Sequence, residues 1–97
     1  MTTYIALGTF TDQGLRTVKE TVKRAELVRE SAGKFGVKMR DIYWTQGQYD
    51  IVTLLEAQDE TAVSAFGLAV ASAGNVRFQT LRALTRDEMN AALQKLP

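Results

Sequence analysis

The sequence predicts an α+β chain with the element order β-α-β-β-α-β and a further helix at its C-terminal end. Three observations carry this expectation. Four short runs are rich in β-branched and aromatic residues, two longer stretches repeat apolar residues at three- and four-residue spacing, and a glycine-centred reversal separates the second run from the third.

Tyr4 to Phe10, Tyr-Ile-Ala-Leu-Gly-Thr-Phe, reads as a first strand buried on at least one face. Thr11-Asp12-Gln13-Gly14 is turn chemistry, after which Leu15, Val18, Val22, Ala25, Val28 and Ala32 form one face of a helix. Lys19, Glu20, Lys23, Glu26 and Glu30 make its solvated face, with Glu20 and Arg24 at the i, i+4 spacing of a surface ion pair. Gly33 and Gly36 bracket its end, because a residue without Cβ enters left-handed backbone easily.

Val37 to Thr45 is a second strand, with Met39, Tyr43 and Thr45 on one side and Ile42 and Trp44 on the other. Gln46-Gly47-Gln48 turns the chain, so Tyr49 to Ala57 returns as an antiparallel third strand. In it Ile51, Thr53 and Leu55 share a face with Tyr49, whereas Val52 and Leu54 share the other with Asp50 and Glu56. Asp59 offers an N-cap oxygen to a second helix whose stripe is Val63, Phe66, Val70 and Ala73, ending at Gly74-Asn75. Val76 to Leu84 is the fourth strand, with Val76, Phe78 and Thr80 set against Arg77, Gln79 and Leu81. Thr85 and Glu88 have capping-box spacing and open a terminal helix that runs through Leu93 to Leu96.

This order is the ferredoxin-like plan, a four-stranded antiparallel sheet with two helices on one face. The 97 residues leave room for a single domain spanning 1–97. Strands two, three and four carry apolar or aromatic residues on both sides, so the face without helices is expected to be covered by another copy. A homo-oligomer, dimer or higher, joined through the open sheet face is the consequence.

Composition removes several classes of function. Twelve Lys and Arg against eleven Asp and Glu give a net charge of +1, too little for a chain that neutralises many nucleic-acid phosphates. No segment reads as a basic-glycine-aromatic RNA-binding motif. No apolar run reaches the roughly 18 residues of a membrane span, and nothing at Met1-Thr2-Thr3-Tyr4 resembles a leader, so a cytoplasmic location is expected. The absence of Cys and His removes the thiolate nucleophile, the sulfur-type zinc site and the commonest general base. Neither a metal nor another cofactor is expected.

Gly47-Gln48-Tyr49-Asp50 resembles the signature of the GYD domain family. Tyr4-Ile5-Ala6-Leu7, Thr11-Asp12-Gln13-Gly14, Gly74-Asn75-Val76-Arg77 and Thr80-Leu81-Arg82-Ala83 resemble that family's pattern in the same order, so the likeness covers nearly the whole chain. The resemblance implies a bacterial or archaeal protein with the dimeric α+β barrel type of association, and no particular reaction.

Five residues are the candidates for a pocket or an interface: Trp44, Tyr49, Asp50, Arg77 and Arg82. A carboxylate beside a phenol can move a proton, but alternation puts Asp50 and Tyr49 on opposite faces, where packing for the ring and backbone capping for the carboxylate are the competing uses. Arg77 and Arg82 lie on opposite faces of their strand, one toward a polar pocket or an interface and the other toward solvent, and an arginine in a central strand needs a carboxylate from Asp50, Glu56 or a ligand. Trp44, with Tyr43, Tyr4 and Phe78, can line an apolar pocket or pack as core. The leading expectation is a small oligomer that binds a small apolar or weakly acidic molecule. A cofactor-independent enzyme using Asp50 or Tyr49, and an assembly module without ligand, are the alternatives.

Overall fold

The computed structural model describes residues 1–97. Strands β1 (Thr2–Phe10), β2 (Val37–Trp44), β3 (Ile51–Ala57) and β4 (Val76–Ala83) form one antiparallel sheet in the order β2-β3-β1-β4. Helices are α1 (Asp12–Arg16), α2 (Thr21–Ala32), α3 (Glu60–Ser72) and α4 (Arg86–Leu93). Each β-α-β unit is split by a strand of the other, which makes β1 and β3 the central strands and β2 and β4 the edges.

Register separates the two faces of the sheet. One row across the helix side is Ile42, Thr53, Ala6 and Thr80, and the next is Met39, Leu55, Tyr4 and Arg82. Tyr4, Ala6, Met39, Val37, Leu55 and Ala57 are buried there against Ala32, Val63 and Phe66 of the helices. Phe35 and Phe66 meet with ring centroids 5.9 Å apart and planes tilted by 54°, a favourable aromatic contact.

Five local expectations are corrected. The first helix is not continuous: Thr11 caps a short α1, a 3-10 turn spans Val18–Glu20, and α2 starts at Thr21. Glu20 therefore lies outside α2, and Arg24 bonds to Thr17 and to the Gly14 carbonyl in place of the expected ion pair. Gly33 keeps helical backbone and only Gly36 is left-handed, with φ at 73°, because a 3-10 turn extends the helix to Phe35. In β2 a bulge between Met39 and Asp41 shifts the alternation, so Met39 joins Ile42 and Trp44 on the helix side. Finally β3 begins at Ile51, which leaves Tyr49 and Asp50 in the connection from β2.

Candidate functional site

Three of the motif segments singled out in the sequence, residues 11–14, residues 74–77 and the one ending at Asp50, meet at one end of the sheet, whereas residues 80–83 pair toward the other end of β1. Thr11 donates its amide to the Asn75 carbonyl at 3.1 Å and its hydroxyl to the Gly74 carbonyl at 2.5 Å. Gln13 adds bonds to the Ala73 carbonyl and to the Asn75 side chain. Gly14 lies so close to the Asn75 backbone that a Cβ there would stand 2.1 Å from the carbonyl oxygen. From the other side, Asp50 Oδ2 accepts from the Phe10 amide at 2.9 Å, and the Asp50 amide donates to the Gly8 carbonyl at 2.8 Å. These bonds close the C-terminal end of β1 onto both neighbouring connections and satisfy backbone donors that a strand end would otherwise leave open.

Of the five candidate residues, two come together. The Tyr49 hydroxyl lies 2.9 Å from Gln79 Oε1, and Tyr49, Gln79, Arg77, Leu7 and Thr9 share one shallow cleft. Asp50 turns back to Phe10. Trp44 sits at the edge of the helix side, where its indole Nε1 donates to Thr21 Oγ1 at 3.0 Å. Arg82 projects to the helix side near the Tyr4 ring, 6.0 Å from its centroid, and pairs with Glu88 at 2.8 Å. The expected partners of the arginines are thus replaced: Glu88 serves Arg82, Glu56 serves Arg40 at 3.5 Å, and no carboxylate reaches Arg77. The strand that carries both arginines is an edge, so their exposure lowers the need for a buried partner.

Arg82 and the Thr85 amide hydrogen-bond to the Glu88 carboxylate and pull its pKa down from 4.5 to about 2. No group of three or more acidic side chains converges as a metal site would require.

A cavity of about 70 Å³ lies between the sheet and the helices. Met39, Ile51, Phe66, Val70 and Phe78 form much of its wall, with Arg24, Thr21, Thr53 and Thr80 as its polar members. None of the five candidate residues lines it. The sequence shows Arg24 only as a helix-surface cation, and the structure sets it on the cavity wall beside Thr21, Ala25 and Val28 of the same helix. The opposite sheet face has no covering layer. Across it run Tyr43, Val52, Leu7 and Gln79 in one row and Asp41, Leu54, Ile5 and Leu81 in the next. Ile5, Leu7, Val52 and Leu54 are half-buried only by their own neighbours, and Tyr43 and Leu81 are exposed.

A small α+β unit, with structural motifs at one sheet end and an uncovered apolar face, is the class that these features define. Comparison with known proteins makes it particular. The sequence pattern of the GYD domain matches residues 4–93, and the chain belongs to that family. It is 37% identical over 95 residues to a protein of Thermus thermophilus called "Glutamine synthetase and cystathionine beta-lyase binding protein". That match covers 97% of this chain and 100% of the relative. Among solved structures, the crystal structure of TTHA0845 from Thermus thermophilus superposes with a TM-score of 0.57 at 21% identity, over 88% of this chain and 95% of that one. The solution structure of the C-terminal domain of the MgtC protein from Mycobacterium tuberculosis gives 0.51 at 13% identity, over 84% and 85%. These two likenesses show the fold alone. No helix of the chain is long and apolar enough to cross a membrane.

Proposed function

We propose that this chain is a homo-oligomeric binding module that acts through protein–protein contacts. Two copies pair sheet to sheet, as in dimeric α+β barrels, and the assembly docks on a larger protein in the cytoplasm. One observation carries the reading: Ile5, Leu7, Val52, Leu54 and Leu81 form a contiguous apolar face with nothing over it, a surface whose burial is worth about 25 cal/mol per Å². The relative's name supplies the class of partner, a metabolic enzyme such as glutamine synthetase or cystathionine beta-lyase. The bonds from Asp50 to Phe10 and from Tyr49 to Gln79 support structural use of both residues over proton transfer. In this reading Tyr49 and Arg77 border the interface, and Trp44 and Arg82 lie behind it.

Light scattering of the purified protein tests the first part. The wild type is expected to be a dimer or larger, and Leu54→Glu a folded monomer by circular dichroism. Calorimetric titration with the two named enzymes from the same source organism tests the second. A monomeric wild type, or no binding to either enzyme, would count against the corresponding part.

The cavity favours a second reading, in which a small apolar or weakly acidic molecule binds between sheet and helices beside Arg24. Titration with propionate, small enough for that cavity, tests it: binding that Arg24→Gln weakens is expected, and absence of any heat sinks it.

A further inference from the structure

The C-terminal arm has no packed place within a single copy. α4 runs for eight residues and none of them is buried. Isolated helices shorter than about 12 residues are marginal in water even with favourable sequences. Thr85 and Glu88 cap each other and Arg82 holds Glu88, but these contacts fix the first turn and cover no apolar side chain. Met89, Leu93 and Leu96 follow at four- and three-residue spacing and are 47%, 49% and 65% exposed. The Cα radius of gyration is 14.6 Å, against about 12.5 Å for a compact chain of this length, as an arm standing off the body requires.

We infer that α4 docks on a second copy of this chain, in the groove between α3 and β4. This rests on the reading that the chain self-associates and adds a contact apart from the open sheet face. The groove is open to solvent and offers about 580 Å³ between Val63, Gly67, Leu68 and Ala71 on one side and Phe78 and Thr80 on the other. Leu68 is 72% exposed, and the small residues beside it let another helix approach closely. Arg82 is both a wall of this groove and the anchor of α4, so each arm leaves its own copy at the mouth of a groove like the one it fills. Exchange of arms about a two-fold axis then closes the contact. Charge fits as well: Glu60 in the groove and Lys95 at the arm's end have no ion-pair partner within one copy. Arm and groove belong to the same chain, and each is left uncovered in one copy of it.

The chain has no cysteine, so Leu68→Cys with Leu93→Cys reports this contact by disulfide formation under mild oxidation. The expected result is a disulfide-linked dimer, reversed by reductant and at least tenfold more abundant than with either single variant. A disulfide within one chain would place the arm on its own groove and overturn the proposal. No disulfide in a protein that light scattering reports as an oligomer overturns it too, while leaving sheet pairing intact. A wild type that stays monomeric and a double variant that forms no disulfide overturn both. Removal of residues 86–97 gives a second readout. It is expected to weaken self-association at least tenfold while the sheet stays folded, and unchanged association sinks the arm contact.

Discussion

Asp50 is the residue whose chemical type misleads most easily. A carboxylate next to a phenol invites a catalytic reading, yet its oxygen closes the end of β1 by accepting from Phe10 across forty residues of sequence. Removing a charged acceptor from a half-buried backbone donor costs about 2 kcal/mol. Asp50→Ala is therefore expected to lower stability by about that much in urea unfolding, and Asp50→Asn, which keeps an acceptor, by less. Gly14 is needed for a different reason: a Cβ would meet the Asn75 carbonyl oxygen at 2.1 Å, and backbone on both sides would have to move. Gly14→Ala is expected to cost about 2 kcal/mol, with the largest amide-shift changes at Thr11 and Asn75. Residue types were readable at both positions. Their partners were not, because no local pattern records a bond between residues forty or sixty apart.

Helices and strands were read best where periodicity is unbroken. β4, β3 from Ile51 onward and the Val63, Phe66 and Val70 stripe of α3 stand as alternation and three-to-four spacing imply, and Thr85 with Glu88 forms the capping box that their spacing suggests. The first helix and β2 depart from their sequence patterns because a 3-10 turn and a bulge each reset a phase that periodicity alone holds constant. α4 gives a test at this scale. The folded-state pKa of Glu88 lies below its ordinary value, so the stability it contributes is present above pH 4.5 and is lost as pH falls through about 2. Amide exchange in α4 is expected to show protection that holds from pH 7 to 5 and declines toward pH 2, with Glu88→Gln removing the dependence. Thr85→Ala is expected to cost the local helix about 1 kcal/mol, read from the same protection factors.

For the whole molecule, the deciding quantity is how much apolar surface one copy leaves bare. Ile5, Leu7, Val52 and Leu54 on the open face, and Met89 and Leu93 on the arm, lie outside the core formed by Tyr4, Leu55 and Phe66. If like chains cover these surfaces, folding and association are linked, and the midpoint of thermal unfolding rises with protein concentration. Scans over a hundredfold range of concentration are expected to show that rise, and Leu54→Glu to flatten it.

The sequence by itself determined the family, the places of the four strands along the chain, the four-stranded antiparallel sheet and the apolar character of both its faces, because each is written in residue type and in spacing along the chain. Tertiary structure alone decided that Tyr49 meets Gln79 while Asp50 turns to Phe10, that Arg82 belongs to Glu88, and that Arg24 walls a cavity. Those outcomes depend on strand order, register and a bulge, which bring distant residues together through three-dimensional closure and leave no periodic trace in the chain.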